Sequence, residues 1–238
     1  MARPPTTVRT RPRISVNELA LFMVSSDAAR MGIIRRSKTP QTPIRYKDAR
    51  GPICAYLLDQ NRRLEPLLAA EEMFRQRTSD SAESSLRQDD ARQSIDVLHA
   101  VQRMSNQLAA YEFIAPPAEQ PCLILADVEV PVRADLLVFG SARGQDQFGI
   151  AVLRMTQDDA ETDTARSRRR EMGRYVATIA RLHAERNLSH EYRSPTNRLC
   201  MSIDVRHGEI FTAPESSTRR MNDVENACRF IAGMWDQA

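Results

Sequence analysis

The sequence predicts an α/β chain, a mixed central sheet flanked by helices with a helical N-terminal part. Three observations predict it. Val97, Val101, Met104, Leu108 and Tyr111 step by 4, 3, 4 and 3 residues and so line one helical face. After Pro116 and Pro117 the period changes to two, the spacing of a strand. From there helical and strand patterns alternate, so that the later part runs α, β, β, β, α, β, β, α. The 238 residues are 42% hydrophobic, enough to build a real core. No run approaches the roughly 18 apolar residues of a membrane span. No apolar run follows the basic start, so no secretory signal is expected.

The elements follow in order. Residues 1–13, rich in Pro, Thr and Arg without periodicity, read as a flexible basic arm. Ser15 or Asn17 caps a short helix through Leu19, Leu21, Phe22 and Met23. Residues 35–52 are basic and punctuated by proline, the composition of a surface connection. Residues 53–77 are helical, with Pro66 starting a second piece, and residues 78–90 read as a loop. The helical N-terminal part thus covers residues 14–88, and the α/β core covers 89–238. Within the core, residues 122–127 are a buried strand and 130–139 alternate. Val130, Val132, Ala134, Leu136 and Val138 lie on one face, with Arg133, Asp135, Leu137 and Phe139 on the other. A turn separates these from the strand at 149–155. Residues 164–186 form an amphipathic helix, 199–205 and 209–213 are strands joined at His207-Gly208, and 218–236 close the chain as a helix.

The net charge is only +3, but it is uneven. Residues 1–50 hold 11 basic and 3 acidic side chains, and residues 166–238 hold 13 and 9. The middle is acidic. Two basic zones beside an acidic one suit either a polyanion-binding surface or a solvated, salt-bridged one. Arg35, Arg36 and Lys38 in the first zone, and Arg166, Arg168, Arg169 and Arg170 in the second, are the phosphate-contact candidates. The second group sits at a helix N-terminus, where positive charge opposes the dipole unless a phosphate or the preceding acidic run offsets it. Cys54, Cys122, Cys200 and Cys228 have no C-x-x-C spacing, which argues against a zinc or iron–sulfur site and for free thiols in a reducing cytoplasm. His183, His190 and His207 show no ligand spacing, and His99 lies alone on its helix.

Three local patterns remain. Arg133-Ala134-Asp135-Leu136-Leu137-Val138 places an aspartate on a strand. Gly149-Ile150-Ala151-Val152-Leu153-Arg154-Met155 is the next strand. Glu171 and Tyr175 share a face of the following helix at i, i+4. In this order and on these elements, residues 89–215 resemble the PD-(D/E)XK nuclease superfamily, in its RecB/Cas4-like exonuclease branch. The resemblance implies a restriction-endonuclease-like sheet and a magnesium-dependent phosphodiesterase. Asp135 would be a metal ligand, and magnesium, a hard cation, would activate water and stabilise phosphoryl oxygens. The family's acid-x-lysine pair falls on Val152 and Arg154. The acid is therefore missing, and the lysine is an arginine able to hold phosphate but unsuited to act as a base. Glu171 and Tyr175 match the family's Gln-x-x-x-Tyr helix, with glutamate for glutamine. Glu171 would supply a migrated metal-binding acid, with Asp127, Asp158 and Glu161 as other sources, and Tyr175 would brace the site.

The reading that follows is a DNA-binding, nuclease-like protein whose catalytic centre is degenerate, serving DNA processing or defence. Two alternatives stand beside it. One is an active magnesium nuclease with a migrated acid. The other is a non-catalytic interaction module that forms a homodimer.

Overall fold

The computed structural model describes residues 8–40, 45–155, 160–188 and 193–238. The first helices are α1 (Val16–Met23), α2 (Asp27–Lys38), α3 (Lys47–Leu58), α4 (Glu65–Ser79), α5 (Ser85–Arg103) and the single turn α6 (Ser105–Leu108). Ser15 caps α1, its Oγ accepting the Glu18 N–H at 3.3 Å. Ser84 caps α5 in the same way from Arg87. Pro66 sits in the first turn of α4, where its missing N–H costs nothing. Strands β1 (Glu112–Ile114), β2 (Leu123–Leu125), β3 (Val128–Val130), β4 (Leu136–Ala142) and β5 (Gln145–Arg154) follow. Then come α7 (Asp163–Asn187), β6 (Ser194–Pro195), β7 (Met201–Asp204), β8 (Glu209–Thr212) and α8 (Thr218–Met234).

The main sheet runs β1-β4-β5-β7-β8, with β6 also paired to β5. It is mixed. β4 and β5 form an antiparallel hairpin, α7 crosses over, and β7 then lies parallel to β5 with Arg154 opposite Asp204. Arg143 and Gly144, at φ 52° and 73°, make the two-residue turn of the β4–β5 hairpin. This is the mixed, helix-flanked α/β sheet that the alternating pattern predicts.

Alternation along β5 divides the interior. Phe148, Ile150 and Val152 face a core built with α1, α2, α7, α8 and the β2–β3 hairpin. Ala151 and Leu153 face a second core built with α3, α4, α5 and α6. Each fully buried Leu, Ile or Phe contributes roughly 1.5–3 kcal/mol. The helices of residues 14–88 are therefore shared between the two faces of one sheet, and α5 runs through the expected boundary at residue 88.

Several elements differ from the sequence reading. Residues 8–13 are tied down: Arg13 bridges Glu129, Arg9 N–H donates to Lys38 O at 2.9 Å, and Trp235 Nε1 donates to Arg9 O at 3.2 Å. Residues 1–7 lie outside the described residues. The expected connection at 35–52 is largely the end of α2 and the start of α3, with 41–44 outside the described residues. The loop expected over 78–90 shrinks to the few residues between α4 and α5, because Ser84 starts α5 early. The predicted strands at 122–127 and 130–139 are cut differently. Residues 123–130 close on themselves as the β2–β3 hairpin, turning at Ala126 and Asp127 with φ 45° and 64°. Only from Leu136 does the chain join the main sheet. Pro131 lacks the N–H a continuous ladder would need. β1, only three residues long, was not foreseen.

Candidate functional site

Asp135 sits where β4 enters the sheet. Its N–H donates to Ala151 O at 2.9 Å. Its carboxylate then stands in for the next ladder carbonyl, because Oδ2 accepts the Leu153 N–H at 2.7 Å. Oδ1 accepts from Arg50 Nη1 of α3 at 2.6 Å, and Arg50 Nη2 reaches Leu153 O at 3.2 Å. The Asp135 side chain is 2% exposed. Both of its oxygens thus hold the end of β5 to α3. Cys54 lies beside this pair. Burial, then the Asp135 charge, push its thiol up to about 11, so it is an unreactive thiol at neutral pH.

Arg154 is one residue along β5 from Leu153 and so projects from the opposite face. Its Nη2 donates to Asp204 Oδ2 at 2.5 Å, with both side chains buried. Its Nη1 donates to Arg169 O of α7 at 3.4 Å, and its guanidinium lies over the Phe211 ring at 5.9 Å. Phe211 packs so closely on α7 that a Cβ at Gly173 would sit 2.2 Å from its ring. The other oxygen of Asp204 accepts from His207 Nδ1 at 2.9 Å. The His207 N–H also donates to that same Asp204 oxygen, at 3.4 Å, so Asp204 ties the β7–β8 turn to Arg154.

Glu171 and Tyr175 share a helical face, as their spacing predicts, and that face meets α8. Glu171 binds Arg220 at 2.8 Å and Arg174 at 2.9 Å. Arg220 also lies over the Tyr175 ring at 5.0 Å. Burial raises the Glu171 pKa, but hydrogen bonds and charge from Arg220 and Arg174 outweigh it and hold the carboxyl below its ordinary value. Burial, then the Asp223 charge, raise the Tyr175 phenol.

The four residues that the resemblance brings together therefore divide among three separate sets: Asp135 with Arg50, Arg154 with Asp204, and Glu171 and Tyr175 with Arg220. Among the described residues no group of three or more His, Cys, Asp or Glu side chains is gathered as a metal would require. Of the other acids considered, Asp127 is in the β2–β3 turn, Glu161 lies near Arg166 and Arg169, and Asp158 is outside the described residues.

The basic residues also divide. Arg169 is buried, its Nη1 donating to Ala160 O at 2.7 Å. Arg166 is exposed beside Glu161 and Asp163, at 3.8 and 3.5 Å. Arg168 and Arg170 are exposed and have no ion pair among the described residues. On α2, Arg35 and Arg36 are exposed, and Arg36 lies 3.7 Å from Glu18. Lys38 is committed elsewhere. Its ammonium donates to the carbonyls of Trp235 at 2.8 Å and Ala238 at 3.1 Å, closing the C-terminal end of α8.

His99 pairs with the buried Glu71 at 3.0 Å, between α5 and α4. His183 is fully buried, and burial lowers its pKa to about 4. Sequence reasoning missed Arg50, Asp204 and the ring that Asp204 orients. No local pattern marks Arg50, which lies 85 residues from Asp135. The Asp204-x-x-His207 spacing across a strand end was the one available signal.

No protein-family model matches the chain, and no curated protein matches it.

Proposed function

We propose that this protein binds nucleic acid, DNA in the first instance, through the exposed arginines at the start of α7, and that its nuclease-like sheet holds this surface without cutting. The observation that carries the reading is the pair Arg168 and Arg170, exposed and without carboxylate partners among the described residues, on the helix packed against the ends of β5 and β7. Unpaired surface guanidiniums are the groups that neutralise phosphates and release counterions. Arg35 and Arg36 on α2 would extend the same basic character.

The state of Asp135 supports binding without cleavage. To hold magnesium, Asp135 would have to give up Arg50 and the Leu153 N–H. Leaving the buried Leu153 N–H unpaired and releasing the 29%-exposed Arg50 would cost about 2–3 kcal/mol. Arg154 is similarly committed to Asp204.

The test is fluorescence anisotropy of a labelled oligonucleotide over a range of salt. Wild type is expected to bind with an affinity that falls steeply as salt rises. The Arg168→Ala/Arg170→Ala variant is expected to bind more weakly with a salt slope reduced by about 2. Affinity and slope unchanged in the variant would overturn the assignment of this surface.

A further inference from the structure

We infer that the cleft between the end of α1 and the first turns of α7 takes an unpaired nucleotide, so that the protein prefers single-stranded nucleic acid to duplex. The inference rests on the proposed binding function and names the form of nucleic acid that the Arg168 side of that surface accepts.

The cleft has a volume of about 610 Å³. It is lined by Val24, the C-terminal cap of α1, and by Asp163, Thr164, Ser167, Arg168 and Glu171 of α7. The five α7 residues fall at i, i+1, i+4, i+5 and i+8, which is one face of a helix. Arg170 lies about 200° further round the helix than Arg168 and stands outside the cleft.

Charge selects the occupant. Asp163 lies 3.5 Å from Arg166, and Glu171 is held by Arg174 at 2.9 Å and Arg220 at 2.8 Å. Both acids of the cleft are thus answered by arginines. Arg168 is exposed and has no ion pair among the described residues, so the cleft is left with one unanswered positive charge. A phosphate supplies the missing negative charge, and a guanidinium can hold it through two hydrogen bonds. Thr164 and Ser167 are exposed beside it. Their hydroxyls can donate to the same phosphate or to its sugar.

Shape selects the form. A phosphate contact by itself needs no cleft, since an exposed arginine on a convex helix would serve. This cleft offers mostly apolar surface beside the arginine, with the half-buried Val24 as its wall from α1. An apolar concavity of this size with a few polar groups is the make-up of a site for a small organic group. The base is that group in a nucleotide. In a duplex the bases are stacked and paired, and only the backbone and the groove edges meet a protein. In a single strand a base is free to turn into the cleft and lie against Val24 while its phosphate stays on Arg168.

The experiment measures anisotropy of three labelled probes of equal phosphate number at one salt concentration. They are single-stranded DNA, the same sequence as a duplex, and a single strand with abasic sites in place of its bases. Wild type is expected to bind the base-bearing single strand about tenfold more tightly than either of the others. Arg168→Ala is expected to weaken binding of that strand. In parallel, methyl NMR of wild type follows Val24 without relying on a variant. Its methyl resonances are expected to shift with the base-bearing strand, through the ring current of the base, and to stay in place with the abasic one. Equal affinity for the three probes, or a Val24 signal that does not respond to the bases, would overturn this inference and leave the binding function standing. No binding of any probe would overturn both.

Discussion

Two buried aspartates hold the end of β5, one on each face of the sheet, and they are built differently. Asp135 is closed: Arg50 takes one oxygen, and the Leu153 N–H takes the other. Asp204 ties two other residues together. Arg154 takes one oxygen, but the other orients His207, whose second nitrogen is unpartnered among the described residues. The resemblance in the sequence points to the first aspartate. The geometry gives both a holding role, the first between β5 and α3 and the second between β5 and the β7–β8 turn.

The comparison can be broken by removing each acid in turn. Asp204→Ala is expected to cost the most, about 3–5 kcal/mol, because it strands Arg154 as an unpaired buried charge. Asp135→Ala is expected to cost about 2–3 kcal/mol, since the 29%-exposed Arg50 side chain can turn toward water and only the Leu153 N–H is left unpaired. Urea denaturation of both variants gives the order, and the reverse order would break the distinction. Gly173→Ala tests the wall beside Arg154. Its Cβ would meet Phe211 at 2.2 Å, so overpacking of about 1–3 kcal/mol should exceed the helix-propensity gain. Phe211→Leu in the same chain should recover part of that loss.

The histidines sharpen the contrast. His183 is buried and depressed from 6.5 to about 4, so the unfolded chain binds its proton first. Stability is complete above about pH 6.5 and declines as pH falls toward 4, a decline that His183→Gln should flatten. The smallest effect belongs to Glu171. Its half-exposed pairs with Arg174 and Arg220 should be worth under about 1 kcal/mol, so Glu171→Gln should barely move the denaturation midpoint. The depressed pKa of Glu171 gives this small contribution above its unfolded value, and it is lost as pH falls through the folded one.

Elements that state themselves locally were legible. The Ser15 cap, the long α7, the β7–β8 hairpin at Gly208 and the closing α8 all follow from spacing or capping chemistry, whereas the stripe predicted from Val97 to Tyr111 is split after Arg103 and Tyr111 lies beyond its helices. The break at Pro131 was visible as a residue, yet the alternation on either side of it masked the hairpin that ends there. The site was much less legible. Glu171 and Tyr175 share the face their spacing requires, but the Arg220 that occupies that face lies 49 residues from Glu171. Arg154 and Asp204 lie 50 residues apart. Ion pairs of this kind are set by parallel strand register, which no local period encodes.

The most direct measurement of the central claim is a cleavage assay run alongside a binding assay. Folded wild-type protein is incubated with single- and double-stranded DNA in magnesium or manganese. The account predicts DNA that is bound in a salt-sensitive manner and recovered at full length in either metal. Metal-dependent cutting that is lost in Asp135→Asn would contradict it, because Asp135 would then have exchanged Arg50 for a metal ion.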